Sequence, residues 1–279
     1  VDLGISPPSN SYVSKDALKE VEQCYPLRVM VCDHCWLVQT EDFVKVDEMF
    51  ASDYAYFSSY STSWLKHAKS YVEQVSSKFY LNSNSMVVEI AANDGYLLQF
   101  INDKNIPCYG IEPTHGTAQA AREKGIEIVE EFFGIDVASR LAKQGRQADL
   151  MIANNVLAHV PDINDFVQGF SILLKPNGIA TFEFPHVLNL MNNNQFDTIY
   201  HEHYSYLSFS SACNIFGFNG LTVFDVEQIP THGGSLRVYV QLSDSGSYKV
   251  NTNVADLKEK ENRAGINKIN TYRGFQKQV

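Results

Sequence analysis

Apolar positions in the middle of the chain fall into short solid runs separated by stretches with helical spacing. Residues 86–91, 108–112, 127–129, 149–153 and 179–184 are runs of strand length. Between them, 96–104, 117–124, 137–143 and 163–174 read as helices. This alternation predicts an α/β fold with an open, doubly wound, mostly parallel sheet, whose strands are covered on both faces. Upstream, Leu65, Ala68, Val72 and Val75 predict a helix over 63–79. Downstream, Lys175-Pro176-Asn177-Gly178 reads as a turn, and 222–227 and 235–242 as an antiparallel pair closing the sheet. Residues 254–275 are charged and read as one helix. The first 46 residues are irregular, with Pro7, Pro8, Pro26 and one strand at 27–31, and 50–60 is dense in Tyr, Phe and Ser.

Composition narrows the picture. A chain of 279 residues is long enough for about two domains. Its 44% hydrophobic content fits a globular protein. A net charge of -10 argues against nucleic acid, because phosphate binding needs a basic surface. No run approaches a membrane span, so no membrane partner is expected. Five cysteines, mostly isolated, suit a reducing, cytoplasmic setting. The start at Val1, without Met, suggests a fragment or a trimmed chain.

The first strand of the alternation ends in Glu89-Ile90-Ala91-Ala92-Asn93-Asp94-Gly95, a small-residue loop opening onto a helix start. Such loops let a ligand approach the backbone beyond the carboxyl end of a strand. The pattern lacks the G-x-G-x-x-G of a dinucleotide site. Its two acids would repel phosphate and suit a cationic, phosphate-free ligand such as S-adenosylmethionine. Glu112 ends the next strand, where a carboxylate can take both ribose hydroxyls. Phe132 and Phe133 follow the third strand and could cover an adenine. The plainer alternative is a tight turn with a solvated Glu112.

Tyr200-His201-Glu202-His203 concentrates two imidazoles, a carboxylate and a phenol. On a strand His201 and His203 would share a face; on a loop the geometry is open. The set contains a proton acceptor that titrates near working pH. His201 and His203 also have ligand-capable spacing, so a metal site is the competing reading. Cys32-Asp33-His34-Cys35 after a strand looks like half a zinc knuckle, and Cys24 or His34 could substitute for missing ligands only at unusual spacing.

Taken in order, five motifs resemble the sugar C-methyltransferases, which methylate nucleotide-linked deoxysugars with S-adenosylmethionine. They are Tyr54-Ala55-Tyr56-Phe57-Ser58-Ser59-Tyr60-Ser61, the Glu89–Gly95 loop, Asn154-Asn155-Val156-Leu157-Ala158-His159-Val160-Pro161-Asp162, the Tyr200–His203 cluster, and His232-Gly233-Gly234-Ser235-Leu236-Arg237. The resemblance implies a partial zinc-binding domain over 1–48 and a Rossmann-like cofactor domain over 49–250. Residues 251–279 would be a connecting helix toward a further domain that is absent. It implies cofactor contacts from Glu89, Ala91, Asn93, Asp94, Gly95, Tyr96, Leu97, Glu112, Pro113, Phe132, Phe133, Asn154, Asn155 and Val156. Ala91 stands where the family usually has Gly.

The implied reaction removes the proton next to the ketone of a 4-keto-6-deoxysugar nucleotide and methylates that carbon, C-3 ahead of C-5. By resemblance His203 is the base, Glu202 and Tyr200 orient it or hold the sugar, and His159 or Tyr54 supplies a donor to the enolate oxygen. Tyr56, Ser59, His232, Gly233, Gly234 and Arg237 are expected at the sugar. Cys32 and Cys35 would be zinc ligands of an incomplete site, holding metal weakly or not at all. Competing readings are an O- or N-methyltransferase and a non-catalytic cofactor-binding protein.

Overall fold

The computed structural model describes residues 1–10, 12–43 and 56–279. The N-terminal strands are β1 (Asp2–Ser6), β2 (Tyr25–Val31) and β3 (Val38–Thr40). In β2, Leu27 and Val29 are buried while Arg28 and Met30 are exposed, the period of a half-buried strand. Helix α1 (Thr62–Lys78) starts at Ser61, whose hydroxyl accepts the Trp64 amide, and buries Ala68, Tyr71, Val72 and Val75. Those positions are spaced i, i+3, i+4 and i+7, which puts them on one face.

The alternation then runs β4 (Val87–Ile90), α2 (Leu98–Asn102), β5 (Cys108–Ile111), α3 (His115–Glu123), β6 (Glu127–Val129), α4 (Ile135–Lys143), β7 (Ala148–Asn154), α5 (Ile163–Leu173) and β8 (Leu174–Pro185). Next come α6 (Val187–Asn192), β9 (Ser205–Tyr206), α7 (Phe209–Phe218), β10 (Leu221–Ile229), β11 (Ser235–Leu242), α8 (Thr252–Ala264) and α9 (Ile269–Arg273). The large sheet has seven strands in the order β10-β11-β8-β7-β4-β5-β6. Its β4, β5, β6, β7 and β8 pair in parallel, and β11 pairs antiparallel with both β8 and β10. Successive residues of β4 point to opposite faces. Val87 belongs to the core cluster that holds residues of α1, α2 and α3, and Val88 to the one that holds residues of α4, α5, α7 and α8. This is the doubly wound fold expected from the alternation.

Three local expectations need correction. The helix foreseen over 96–104 shortens to α2, because Tyr96 and Leu97 belong to the turn that follows Gly95. The single helix foreseen over 254–275 breaks at Gly265, whose φ of +78° is the left-handed stop that glycine supplies. The 175–178 turn is an excursion within β8: Ala148 faces Leu174, yet Leu150 faces Ile179.

The sequence pattern did not foresee β9. It pairs with β3 and completes a four-stranded sheet, β1-β2-β3-β9. That sheet shares a core with α6 and the C-terminal turns through Leu27, Val29, Val38, Leu188, Tyr206 and Phe275. Among the described residues no helix is long and apolar enough to cross a membrane.

Candidate active site

A pocket of about 790 Å³ opens at the carboxyl ends of β4, β5 and β7. The loop after β4 forms one wall. Ala91 and Asn93 hold φ of +56° and +49°, and Gly95 holds +74°. Gly95 is required, since a Cβ there would sit 2.5 Å from the Ile126 side chain. Asn93 lines the pocket, but its side chain is engaged: Oδ1 accepts the Ser58 amide at 2.8 Å and Nδ2 donates to the Tyr56 carbonyl at 3.0 Å.

Glu112 also lines the pocket. Its Oε2 accepts the Asn93 amide, and its Oε1 accepts both the Thr114 amide and the Thr114 hydroxyl. With two lone pairs per oxygen, room remains on Oε2 for one further donor. Glu112 thus shapes the loop with three of its bonds and keeps capacity toward the pocket for a hydroxyl. Asp94 is corrected. It faces away from the pocket and pairs with Lys124, whose Nζ donates to its carbonyl at 2.6 Å and its carboxylate at 3.2 Å. Gly95 and Leu97 support the loop from outside the lining, whereas Ala91, Tyr96 and Pro113 line it.

Glu89 lies beneath this wall, 1% exposed, and neither carboxylate oxygen has a partner at hydrogen-bonding geometry. Burial drives its pKa well up, an effect the Tyr96 phenol partly offsets. Asn154 lines the pocket with both side-chain polar atoms unpartnered, and Asn155 Oδ1 is unpartnered as well. Buried polar atoms without partners are rare and mark a missing ligand or water. The donor set fits a polar, cationic group near Glu89. Val156 and Phe132 line the same end; Phe132 keeps an exposed ring, while Phe133 is partly drawn into the core edge-on against Phe166 and Phe170.

The opposite end holds the Tyr-His-Glu-His cluster, which is a turn. The His203 amide donates to the Tyr200 carbonyl at 3.0 Å, so the Tyr200 and His203 rings lie together, centroids 4.2 Å apart. His201 faces the other way, its Nε2 3.1 Å from the Pro26 carbonyl. Of the two geometries left open, the cluster takes the turn rather than the strand, so His201 and His203 face apart and do not meet as a ligand pair. His203 Nδ1 donates to the Thr198 carbonyl at 3.0 Å. That fixes the tautomer, leaving Nε2 to accept from the Tyr200 hydroxyl at 3.0 Å. Burial pushes the His203 pKa down to about 4, so the ring is neutral at pH 7. Burial, then the nearby Glu202 charge, raise the Tyr200 pKa and keep the phenol protonated.

His159 packs against the pair, 4.6 Å from the His203 ring, and burial and His203 hold it well below its usual pKa. Glu202 lines the pocket and bonds to Asn10, not to His203. The Thr40 hydroxyl donates to the His203 carbonyl at 2.5 Å, and the Thr40 amide to the Tyr204 carbonyl at 3.2 Å.

The expected sugar residues divide. Tyr56 and His232 line the pocket; His232, at φ +49°, stands edge-on to Trp64, with its Nδ1 3.5 Å from Asn155 Nδ2. Ser59, Gly233 and Gly234 lie outside the lining, the glycines forming the turn that presents His232. Arg237 is corrected: its Nε donates to Glu183 at 2.6 Å, beneath the pocket floor and 3% exposed. Glu183 also binds His67 at 2.8 Å, and His67 stacks under Trp64. Tyr54 lies outside the described residues. Asn10, Trp64, Asp197 and Thr198 line the pocket without having been expected there. Trp64 carried a usable signal as the first-turn aromatic of a helix with His67 three residues on. Asn10 carried none.

Comparison with known proteins adds the family. Residues 64–226 match the methyltransferase domain family. The chain belongs to that family. Residues 1–50 match a zinc binding domain of methyltransferases, and 230–279 a C-methyltransferase C-terminal domain. The C-methyltransferase NovU of Streptomyces niveus is 32% identical over 275 residues, which is 99% of this chain and 65% of that protein. The chain thus spans under two thirds of that relative's length. Among solved structures, the PH0226 protein of Pyrococcus horikoshii aligns with TM-score 0.55 at 12% identity, over 67% of this chain and 94% of that one. An S-adenosylmethionine-dependent methyltransferase of Clostridium acetobutylicum aligns with TM-score 0.51 at 11% identity, over 64% and 92%. These two show the shared fold of the methyltransferase domain. The expected family is borne out as a C-methyltransferase family with a zinc-binding type of N-terminal domain.

In that N-terminal part, the Cys35 amide points at Cys32 Sγ at 3.5 Å. Backbone donors from Cys35 and His34 lower the Cys32 pKa, which favours a thiolate. Among the described residues no third ligand joins them. The pair fits half of a tetrahedral site.

Proposed function

We propose that this chain carries out S-adenosylmethionine-dependent methylation of carbon next to a ketone, on a nucleotide-linked 4-keto-6-deoxysugar, at C-3. One observation carries the reading: a single pocket joins the unpartnered side chain of Asn154, just above the buried Glu89, to the Tyr200–His203 pair. When bound, S-adenosylmethionine supplies an electrophilic methyl group on a sulfonium. Glu89 and Asn154 would hold its charged amino-acid end, Phe132 its adenine and Glu112 one ribose hydroxyl.

The rest is the work of the chain's own side chains. The Thr198 carbonyl holds His203 as the Nδ1–H tautomer, so the lone pair on Nε2 is the basic site. Tyr200 shares that site and can pass a proton to Nε2 as it receives one from carbon. His159, neutral and beside the pair, is suited to donate to the enolate oxygen. Glu112, Glu131, Asp162, Asp165, Asp197 and Glu202 line the pocket, and among the described residues no Lys or Arg does. Such a lining suits a cation and a neutral sugar, and leaves the diphosphate outside. Zinc at Cys32 and Cys35 would be structural and requires ligands beyond this pair.

The test is solvent deuterium exchange at the substrate α-carbon, followed by NMR with the demethylated cofactor bound. His203→Ala is expected to abolish exchange and methyl transfer while calorimetry shows cofactor binding retained. Methyl transfer to oxygen or nitrogen without exchange at carbon would overturn the reading.

A further inference from the structure

Asn10 reaches the pocket from the far end of the chain. It follows Pro7 and Pro8 and holds φ of +59°, a left-handed conformation that asparagine tolerates better than most residues. Its Nδ2 donates to Glu202 Oε1 at 2.8 Å, across a separation of 192 residues, and both side chains line the pocket. Glu202 is 2% exposed. Burial pushes its pKa up, and the Asn10 bond pulls it down. The titratable groups that feel its charge are the phenols of Tyr200 and Tyr204, both with raised pKa and so neutral at pH 7. Among the described residues, then, Asn10 is what stabilises this carboxylate, with one oxygen engaged and the other left for a donor on a ligand.

We propose that Asn10 is a positioning residue for the reaction: it orients Glu202 so that the carboxylate's second oxygen receives a hydroxyl of the sugar, and the N-terminal segment thereby completes the substrate end of the pocket. The inference rests on the methyl-transfer reading above.

The experiment uses the full chain with ¹³C-labelled glutamate, the Glu202 carboxyl resonance being identified by its loss in Glu202→Gln. Removing a hydrogen bond to a charged group in Asn10→Ala is expected to raise the Glu202 midpoint by about one pH unit. Asn10→Asp, nearly isosteric and the variant to use should alanine fail to fold, adds a like charge and is expected to raise it further. The acidic limb of kcat/KM for the keto-sugar should move upward in step. Its value at neutral pH should fall roughly tenfold while S-adenosylmethionine affinity is unchanged. A Glu202 midpoint that stays put in both variants overturns the proposal. So does a shifted midpoint with unaltered sugar kinetics, which would make Asn10 merely structural. If the unsubstituted chain transfers no methyl group, the functional reading fails by itself, and the titration still decides whether Asn10 governs Glu202.

Discussion

Glu89 and Ala91 show how much tension single residues of the cofactor loop hold. A carboxylic acid buried away from water favours its protonated form, and Glu89, relieved only in part by the Tyr96 phenol, is such a group. Because its folded pKa is raised, it withdraws stability from the ligand-free protein as pH rises from the ordinary carboxylate range toward that folded value. A cation arriving nearby reverses the preference. Binding of S-adenosylmethionine should therefore release protons between the ordinary carboxylate range and the raised folded value, with affinity rising with pH across that window. Calorimetry in two buffers of different ionisation enthalpy measures the release, and Glu89→Gln should abolish it. Identical apparent enthalpies in both buffers would count against a cation seated at Glu89. Ala91 is the companion case, a residue with a Cβ at φ +56°. A left-handed alanine costs roughly 1–2 kcal/mol, of which the added freedom of an unfolded glycine gives back part. Ala91→Gly should stabilise the chain by about 0.5–1 kcal/mol, a rise in Tm of roughly 2 °C. A fall in Tm would mean that the Ala91 methyl contributes packing that outweighs the strain.

At the level of elements, α8 is tied down by one carboxylate. Glu261 Oε1 accepts from His186 Nε2 at 2.7 Å and from the Phe209 amide at 2.6 Å. Its Oε2 accepts from the Ser210 amide and hydroxyl. Glu261 thus joins α8 to the start of α7, where the first-turn amides and the helix dipole favour negative charge. These partners depress its pKa below the ordinary value despite burial. The stabilisation is therefore complete above the unfolded pKa and is lost as pH falls through the lower folded one. Glu261→Gln should cost about 3 kcal/mol at pH 7, and roughly 6–10 °C in Tm, with the gap from the parent closing in acid. A gap that stays constant between neutral and acidic pH would show that the charge is not what matters. The sequence revealed a helix in this region, because helical character is a local signal, but not its stop at Gly265. It did not reveal the tether, since Glu261 and Phe209 lie 52 residues apart.

Across the whole molecule the same division holds. The doubly wound sheet was legible because solid apolar runs and helical spacing repeat over a hundred residues. Where a motif sits on one strand end, as at Glu112 and Asn154, the sequence pointed to residues that line the pocket. It was misread where polar residues were already spent on neighbours, as Asp94 is on Lys124 and Arg237 on Glu183. Least legible was the role of the N-terminal sheet, because β9 is two residues long and carries no pattern of its own. Yet β9 pairs with β3, Thr40 holds the His203 carbonyl, and Pro26 holds His201. The candidate base is thus held by the N-terminal sheet, and loosening that sheet must loosen His203. Native-state hydrogen exchange tests this, because amides that open in one cooperative unit share one opening free energy. The amides of Val38 and Thr40 in β3 and of Tyr204 and Tyr206 around β9 should respond together to denaturant. In Thr40→Val both groups should lose protection by a similar amount, with turnover falling and cofactor affinity kept. If the β3 amides exchange freely while Tyr204 and Tyr206 stay protected, the N-terminal sheet opens independently of the candidate base.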